Sequence, residues 1–376
     1  MYFVQWLSRQ NSIVEVYIAL TLYGIGLSLV GIFIPIYLIS LGFSLQEALL
    51  YILINKVVLL FAIPFTSWLQ GNIGLQATTL IRIPFFLTSF IGLLLLPSHP
   101  WLFWVSAVAG GLALILFWLP IQLFFFHSTE HAKRGSQVGL YFSIPALFKA
   151  SAPAIGGFIA VSFGFDVLLL IGLFIVVLST VPLFLSSTKK IASSFRLQDL
   201  FRERDHSFVA MTVSDGFEYV ASAILFPLLI FFVLESVDSV GLIKSLGMVV
   251  FGVASFFVGK QLDGTSRKRT YAISAFLFAC SLFLRPFLST PLEFSLVIIL
   301  GGLAFACYKP SYETIILSKA HHRDDSDTFL VAREVLLNFS RSVLLAIVII
   351  VPFVWGFFLA GIALLISSFV VYRTTS

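Results

Sequence analysis

Asp215, Glu218, Tyr219 and Ser222 recur at steps of three, one and three residues, a spacing that gathers them on one face of a helix. Two carboxylates this close repel one another, which favours a proton held between them and suits a proton carrier. Glu334, Asn338 and Arg341 form a second stripe, with Arg333 beside it. Lys309 and Glu313, four apart, are spaced to pair within one helix. Tyr17, Thr21, Gly24 and Ser28 make a milder polar face. These residue types allow two kinds of chemistry. Asp215, Glu218 and Glu334 can take up and release protons or coupling ions. Lys149 and Arg341 can hold an anionic or zwitterionic solute, with Lys309, Glu313, Arg333, Asn338 and Tyr219 as further polar groups. For Lys309, Glu313 and Arg333, interhelical ion pairs that only set packing are an equal alternative.

The elements that position these groups are apolar. Hydrophobic residues make up 59% of the 376 positions, charged residues 11%, and the mean hydropathy is +1.04. An ordinary water-soluble domain is excluded. Twelve spans are expected at about 14–40, 44–69, 73–96, 101–126, 137–162, 165–186, 208–233, 239–259, 270–289, 292–317, 328–351 and 353–372. Each is close to the roughly 20 apolar residues that cross a bilayer core of about 30 Å. Their length without period-two alternation decides for helices, giving an all-α polytopic membrane protein. A charge at mid-membrane costs roughly 2.5–3.5 kcal/mol on insertion scales. Lys56, Arg82, Lys149, Lys244 and the acids above therefore need protein or water around them. Arg285 lies near a helix end, from which it can snorkel.

Fifteen of the 23 Lys and Arg residues fall in alternate connecting segments. These are Arg9, Lys133 and Arg134, the 187–206 stretch, the 259–269 turn, Lys319 with Arg323, and Arg373. The turns near 41–46, 97–100, 162–166, 234–240 and 288–293 contain neither residue type. Positive loops stay in the cytoplasm, which puts both termini inside, in a cell (inner) membrane. The first span reads as mature protein and not as a cleaved signal. Cys280 and Cys307 lie within spans and read as buried thiols. His127-Ser-Thr-Glu130-His131 fits a zinc-peptidase spacing but offers no third ligand. No phosphate loop, nucleophile elbow or Cys-x-x-Cys is present. No enzyme activity, metal, cofactor or nucleic-acid partner is expected.

The chain repeats. Gly110-Gly-Leu-Ala113 and Gly301-Gly-Leu-Ala304 open the fourth and tenth spans, each followed by a proline, Pro120 and Pro310. Gly24 and Pro35 match Gly216 and Pro227 at an offset of 192, and so does Lys149 with Arg341. Two six-helix bundles, 1–186 and 208–376, follow, joined by a linker at 187–207. Three motifs then point to a known group. Gly259-Lys-Gln-Leu-Asp263-Gly-Thr-Ser-Arg267-Lys268 resembles the cytoplasmic loop signature of the major facilitator superfamily. Ser67-Trp-Leu-Gln-Gly71 keeps only a trace of it in the first half. Ala152-Pro153-Ala-Ile-Gly156-Gly157 is similar to that family's helix-bend element, with Ala at its first place. The fourth span lacks the Arg that many proton-driven members carry.

The resemblance implies secondary transport by alternating access, coupled to protons, with antiport suggested by the Pro153 element. It implies that Asp263 latches onto the start of the fifth span near residues 135–137, holding the inside closed. It also implies that spans 1, 4, 7 and 10 line a central cavity, that 2, 5, 8 and 11 flank it, and that 3, 6, 9 and 12 face lipid. The first two groups carry ten of the twelve intramembrane charges. A monomer working on a small solute is expected. Uniport, and a transporter-like receptor or assembly protein that no longer cycles, are the alternatives.

Overall fold

The computed structural model describes residues 18–128, 134–182, 205–262 and 267–373. Among them are twelve helices: α1 Ile18–Ser40, α2 Leu45–Ile73, α3 Leu75–Leu94, α4 Leu102–Ser128, α5 Gly135–Phe163, α6 Phe165–Leu178, α7 His206–Leu234, α8 Val237–Gln261, α9 Arg267–Phe287, α10 Pro291–His321, α11 Ser326–Ile350 and α12 Trp355–Arg373. Ten of these are long and apolar enough to cross a membrane by composition alone. The other two are α6, which is short, and α11, which carries the Arg333, Glu334 and Arg341 charges. Most of the expected linker, and Asp263 with it, lies outside the described residues.

Local chemistry fixes the helix ends. Gly74 and Gly164 are single-residue turns between consecutive helices, at φ 92° and 88°, where a β-carbon would be strained. Two of the turns without Lys or Arg end in capping boxes, and in a third the N-cap serine also holds an acid. Ser44 with Glu47 and Thr290 with Glu293 are complete capping boxes, and Asp238 accepts from Ser236. Large apolar side chains such as Phe61, Phe174, Phe257 and Phe287 are exposed around the outside, as a lipid-facing belt requires.

The helices form two six-helix bundles. In the first, α4 packs on α2 and α3; in the second, α9 packs on α10 and α12, and α7 on α11 and α12. Across the division, α5 packs along α8 and α2 along α11. These are pseudo-symmetric pairings, and they agree with spans 2, 5, 8 and 11 flanking the junction of the halves.

At the basic end of the second bundle, Asp205 caps α7 by accepting from the Ser207 and Phe208 amides, and it pairs with Lys319 of α10. Partial burial pushes the Asp205 carboxyl up. Hydrogen bonds from Lys319 and Ser207 and the Lys319 charge outweigh this and bring it down to about 2 from an ordinary 3.8. A lowered folded-state value stabilises above the unfolded one, so this contribution is present above about pH 4 and is lost as the pH falls towards 2. Asp205→Ala should cost about 1 kcal/mol of helix capping. In thermal unfolding in detergent, the gap between variant and wild type should shrink in acid.

Candidate functional site

The site begins with a defect in α7. Residues Val220–Leu225 form a π-helical segment directly after Tyr219, a feature frequent at functional positions. Its cause is readable in the chain. The Phe226 amide bonds back five residues to the Ala221 carbonyl, and the next residue, Pro227, has no amide to offer the Ser222 carbonyl. Lys244 of α8 fills the gap, donating to Ser222 O at 2.9 Å. Arg285 of α9 donates to the Ser222 hydroxyl at 2.9 Å. Arg285 is 4% exposed and lies 4.3 Å from the centre of the Phe226 ring. The expected snorkelling of Arg285 is therefore corrected: a hydroxyl and a ring face hold it inside the bundle. Arg82 of α3 is likewise buried, donating to Ser179 at 2.7 Å with Tyr23 and Phe117 against its guanidinium. Spans 3 and 9 thus turn their charges inward, away from lipid.

Ion pairs in the second bundle run between helices. Lys309 donates to both Asp215 oxygens at 2.6 and 2.7 Å, and Tyr308 adds a 3.4 Å contact. Arg333 donates to Glu313 at 2.5 Å. The within-helix pairing of Lys309 with Glu313 is thereby overturned, because each finds a closer partner on a neighbouring helix. Two of the four intramembrane acids stay out of ion pairs among the described residues. Glu218 and Glu334 are 4% and 3% exposed, and Glu334 Oε1 is buried without a donor.

At the junction of the halves, Tyr219 lies between two cations. Lys56 of α2 is 3.5 Å from its hydroxyl and 4.9 Å from its ring centre. Arg341 of α11 is 4.2 Å from the same centre and donates to Asn338 at 3.1 Å. Among the described residues, neither cation has a carboxylate within ion-pair distance. Lys149, the expected counterpart of Arg341, lies against Gly24 of α1, as the Arg341 backbone lies against Gly216 of α7, the match of Gly24. Lys149 occupies the turn between the two segments of α5, Arg134–Phe148 and Ala152–Phe163. Sequence reasoning left Lys56 out of the site because nothing along α2 indicates which helix it faces.

The helix-bend element does two things. Pro153 restarts the helix at the break, and the Ala154 amide, left without an intrahelical partner in that first turn, donates to Ser245 of α8 at 2.9 Å, across the halves. Gly156 and Gly157 let α5 approach Leu29 of α1 and Asp238 of α8. Nearer the basic end, α5 and α8 meet at Gly139 and Gly259, where a β-carbon on Gly259 would lie 2.6 Å from the Gly139 α-carbon. Gly259 thus sits against the start of α5. Arg267 donates to Leu262 O and to Ser318, both at 3.0 Å. Lys268 begins α9 beside it. His127 pairs with Asp327 across the same end at 2.7 Å; the other two residues of its zinc-peptidase-like spacing, Glu130 and His131, lie outside the described residues. At the opposite end, Leu45, Gln46 and Leu49 of α2 and residues 348–353, the end of α11 and the turn after it, line a cleft of about 300 Å³.

No family model matches the chain, and no curated protein does. Solved structures do. A bacterial homologue of the iron transporter ferroportin, in an outward-facing state, superposes with a TM-score of 0.73 at 13% identity over 96% of this chain and 98% of that one. The same homologue soaked with iron gives 0.73 at 14%, over 96% and 99%. The human organic anion transporter MFSD10 (TETRAN) gives 0.68 at 12%, also over 96% and 99%. The likeness runs through both bundles and their shared junction, so this chain is a multi-pass membrane protein with the major facilitator superfamily fold.

Proposed function

We propose that this protein is a secondary transporter that carries a small organic anion between the two bundles by alternating access, coupled to protons. The observation behind this reading is the meeting of Lys56 and Arg341, from opposite halves, on Tyr219 with no described carboxylate to neutralise either. A buried cation without a partner is costly, and an anionic cargo supplies the missing charge. Lys149, at the break in α5, adds a third cation. The human neighbour is named as an organic anion transporter, which agrees in sign.

Asp215, Glu218 and Glu334 are the candidate proton carriers. Gly259, Asp263, Arg267 and Lys268 hold the basic end closed in the outward-open state. With positive loops inside, the basic end and both termini are cytoplasmic. The unit is a monomer.

Each charge-assisted contact to the cargo is worth about 1.5–3 kcal/mol. Arg341→Gln or Lys56→Gln should therefore lower uptake of an organic anion such as benzoate by about 10–100-fold. Proteoliposomes containing a pH-sensitive dye report solute and proton movement together. Undiminished anion uptake by both variants would sink the assignment. Uptake of benzoate without dye response would leave a uniporter.

A further inference from the structure

Building on that reading, we infer that the anion and a proton bind this protein together, with Lys56 and Arg341 holding the anion and Glu334 the proton, so that the two cross as symport. This is the opposite sense to the antiport implied by the Pro153 element. Glu334, Asn338 and Arg341 share one stripe of α11. Asn338 joins its two ends, donating to the Glu334 carbonyl at 2.8 Å and accepting from Arg341 at 3.1 Å. Lys56 reaches this stripe from α2, which packs along α11, and lies within Coulombic range of both Arg341 and Glu334.

Glu334 Oε1 is buried with no donor. No hydrogen bond holds that oxygen, and the field at the carboxyl comes from nearby cations, Lys56 and Arg333 among them. An anion seated between Lys56 and Arg341 cancels much of that field, and Glu334 then takes up a proton. Linkage makes the effect reciprocal: protonated Glu334 strengthens anion binding by the same factor. One negative and one positive charge enter together, so the loaded carrier has the net charge of the empty one.

The other acids are placed differently. Asp215 is clamped by Lys309 and Glu313 by Arg333, while Glu218 lies beyond Tyr219 within range of Arg285 and Lys309. Charged or titratable groups in the middle of the elements packed against α11 are Tyr51 and Lys56 of α2; Asp215, Glu218 and Tyr219 of α7; and Cys307, Tyr308, Lys309, Tyr312 and Glu313 of α10, while Glu47, His206, Glu293, Lys319 and His321 fall near the ends of those helices. Arg333 and Arg341 are on α11 itself. On α4 and α12 they fall only at the helix ends, as His127, Tyr372 and Arg373.

Calorimetry of the purified full chain tests this with benzoate and methanesulfonate, both fully ionised from pH 6 to 9, in two buffers of different ionisation enthalpy. Binding should take up close to one proton, and affinity should weaken by up to about tenfold per pH unit as pH rises. In Glu334→Gln the uptake and the pH dependence should vanish, while affinity stays near the wild-type value at low pH. Wild-type binding with proton release, or with no proton change, overturns the inference but leaves an anion carrier. Uptake unchanged in Glu334→Gln overturns it as well. Failure of both anions to bind overturns this inference and the proposed function together. The buffer comparison on wild type stands alone if the variant does not fold.

Discussion

Asp215→Asn is expected to destabilise the protein by about 3–5 kcal/mol, the cost of leaving one member of a buried ion pair without the other. Asp215 is 1% exposed and Lys309 17%, and both carboxylate oxygens accept from the same ammonium. Removing the acid strands Lys309 in the bundle, with the Tyr312 ring 4.9 Å away as its remaining close contact. The double variant Asp215→Asn/Lys309→Met should recover most of the loss, because two neutral side chains restore balance. Thermal unfolding in detergent of the four members of the cycle measures the coupling. A double variant no more stable than Asp215→Asn would mean that Asp215 acts through some other group. The same cycle separates structure from transport. If the rescued protein still carries anion and proton, Asp215 belongs to the scaffold, and the coupling rests on Glu218 and Glu334.

Much of this arrangement was legible along the chain. Apolar runs and alternating basic turns placed twelve helices, with ends within a few residues for most, and the stripes on α7 and α11 fell where helical spacing put them. What one dimension cannot carry is the partner of each charge. Lys309 and Glu313 are four apart, yet their neighbours on α7 and α11 approach more closely than they approach each other. Lys56 and Arg285 gave no periodic signal, since each acts across a helix boundary on a single residue, Tyr219 or Ser222. The π segment had a readable cause in Pro227, but the consequence, a free Ser222 carbonyl, becomes visible only once Lys244 of α8 is beside it. The N-terminal half is also electrically distinct. Its deep charges Lys56, Arg82 and Lys149 have no deep acid among them, whereas all four deep acids, Asp215, Glu218, Glu313 and Glu334, lie on the other bundle, so on the proposed reading the proton is bound there.

On the proposed reading the two halves move against one another, and Gly259→Val should stop them. A β-carbon there would lie 2.6 Å from the Gly139 α-carbon and 3.2 Å from the Gly135 carbonyl oxygen, both backbone atoms that no side-chain rotation can move. Because the opposing residue is itself glycine, no smaller neighbour can compensate. Overpacking of this kind costs about 1–3 kcal/mol, and here the cost falls on the conformer in which α5 and α8 touch at the basic end. The closed population should therefore drop by roughly 5–150-fold. Transport should fall at least about tenfold, since one of the two access states is disfavoured. Ser255, buried on α8 beside Gly139, provides a reporter as Ser255→Cys once Cys280 and Cys307 are replaced. Labelling of that thiol by an impermeant maleimide from the basic side should be slow in the parent and at least about tenfold faster when Gly259→Val is added. Gly259→Ala should fall between the two, as the smaller side chain still meets the same backbone. Fast labelling in the parent would mean that the α5–α8 contact does not close this end. Unchanged transport in Gly259→Val would mean that closure at this point is not needed for the cycle.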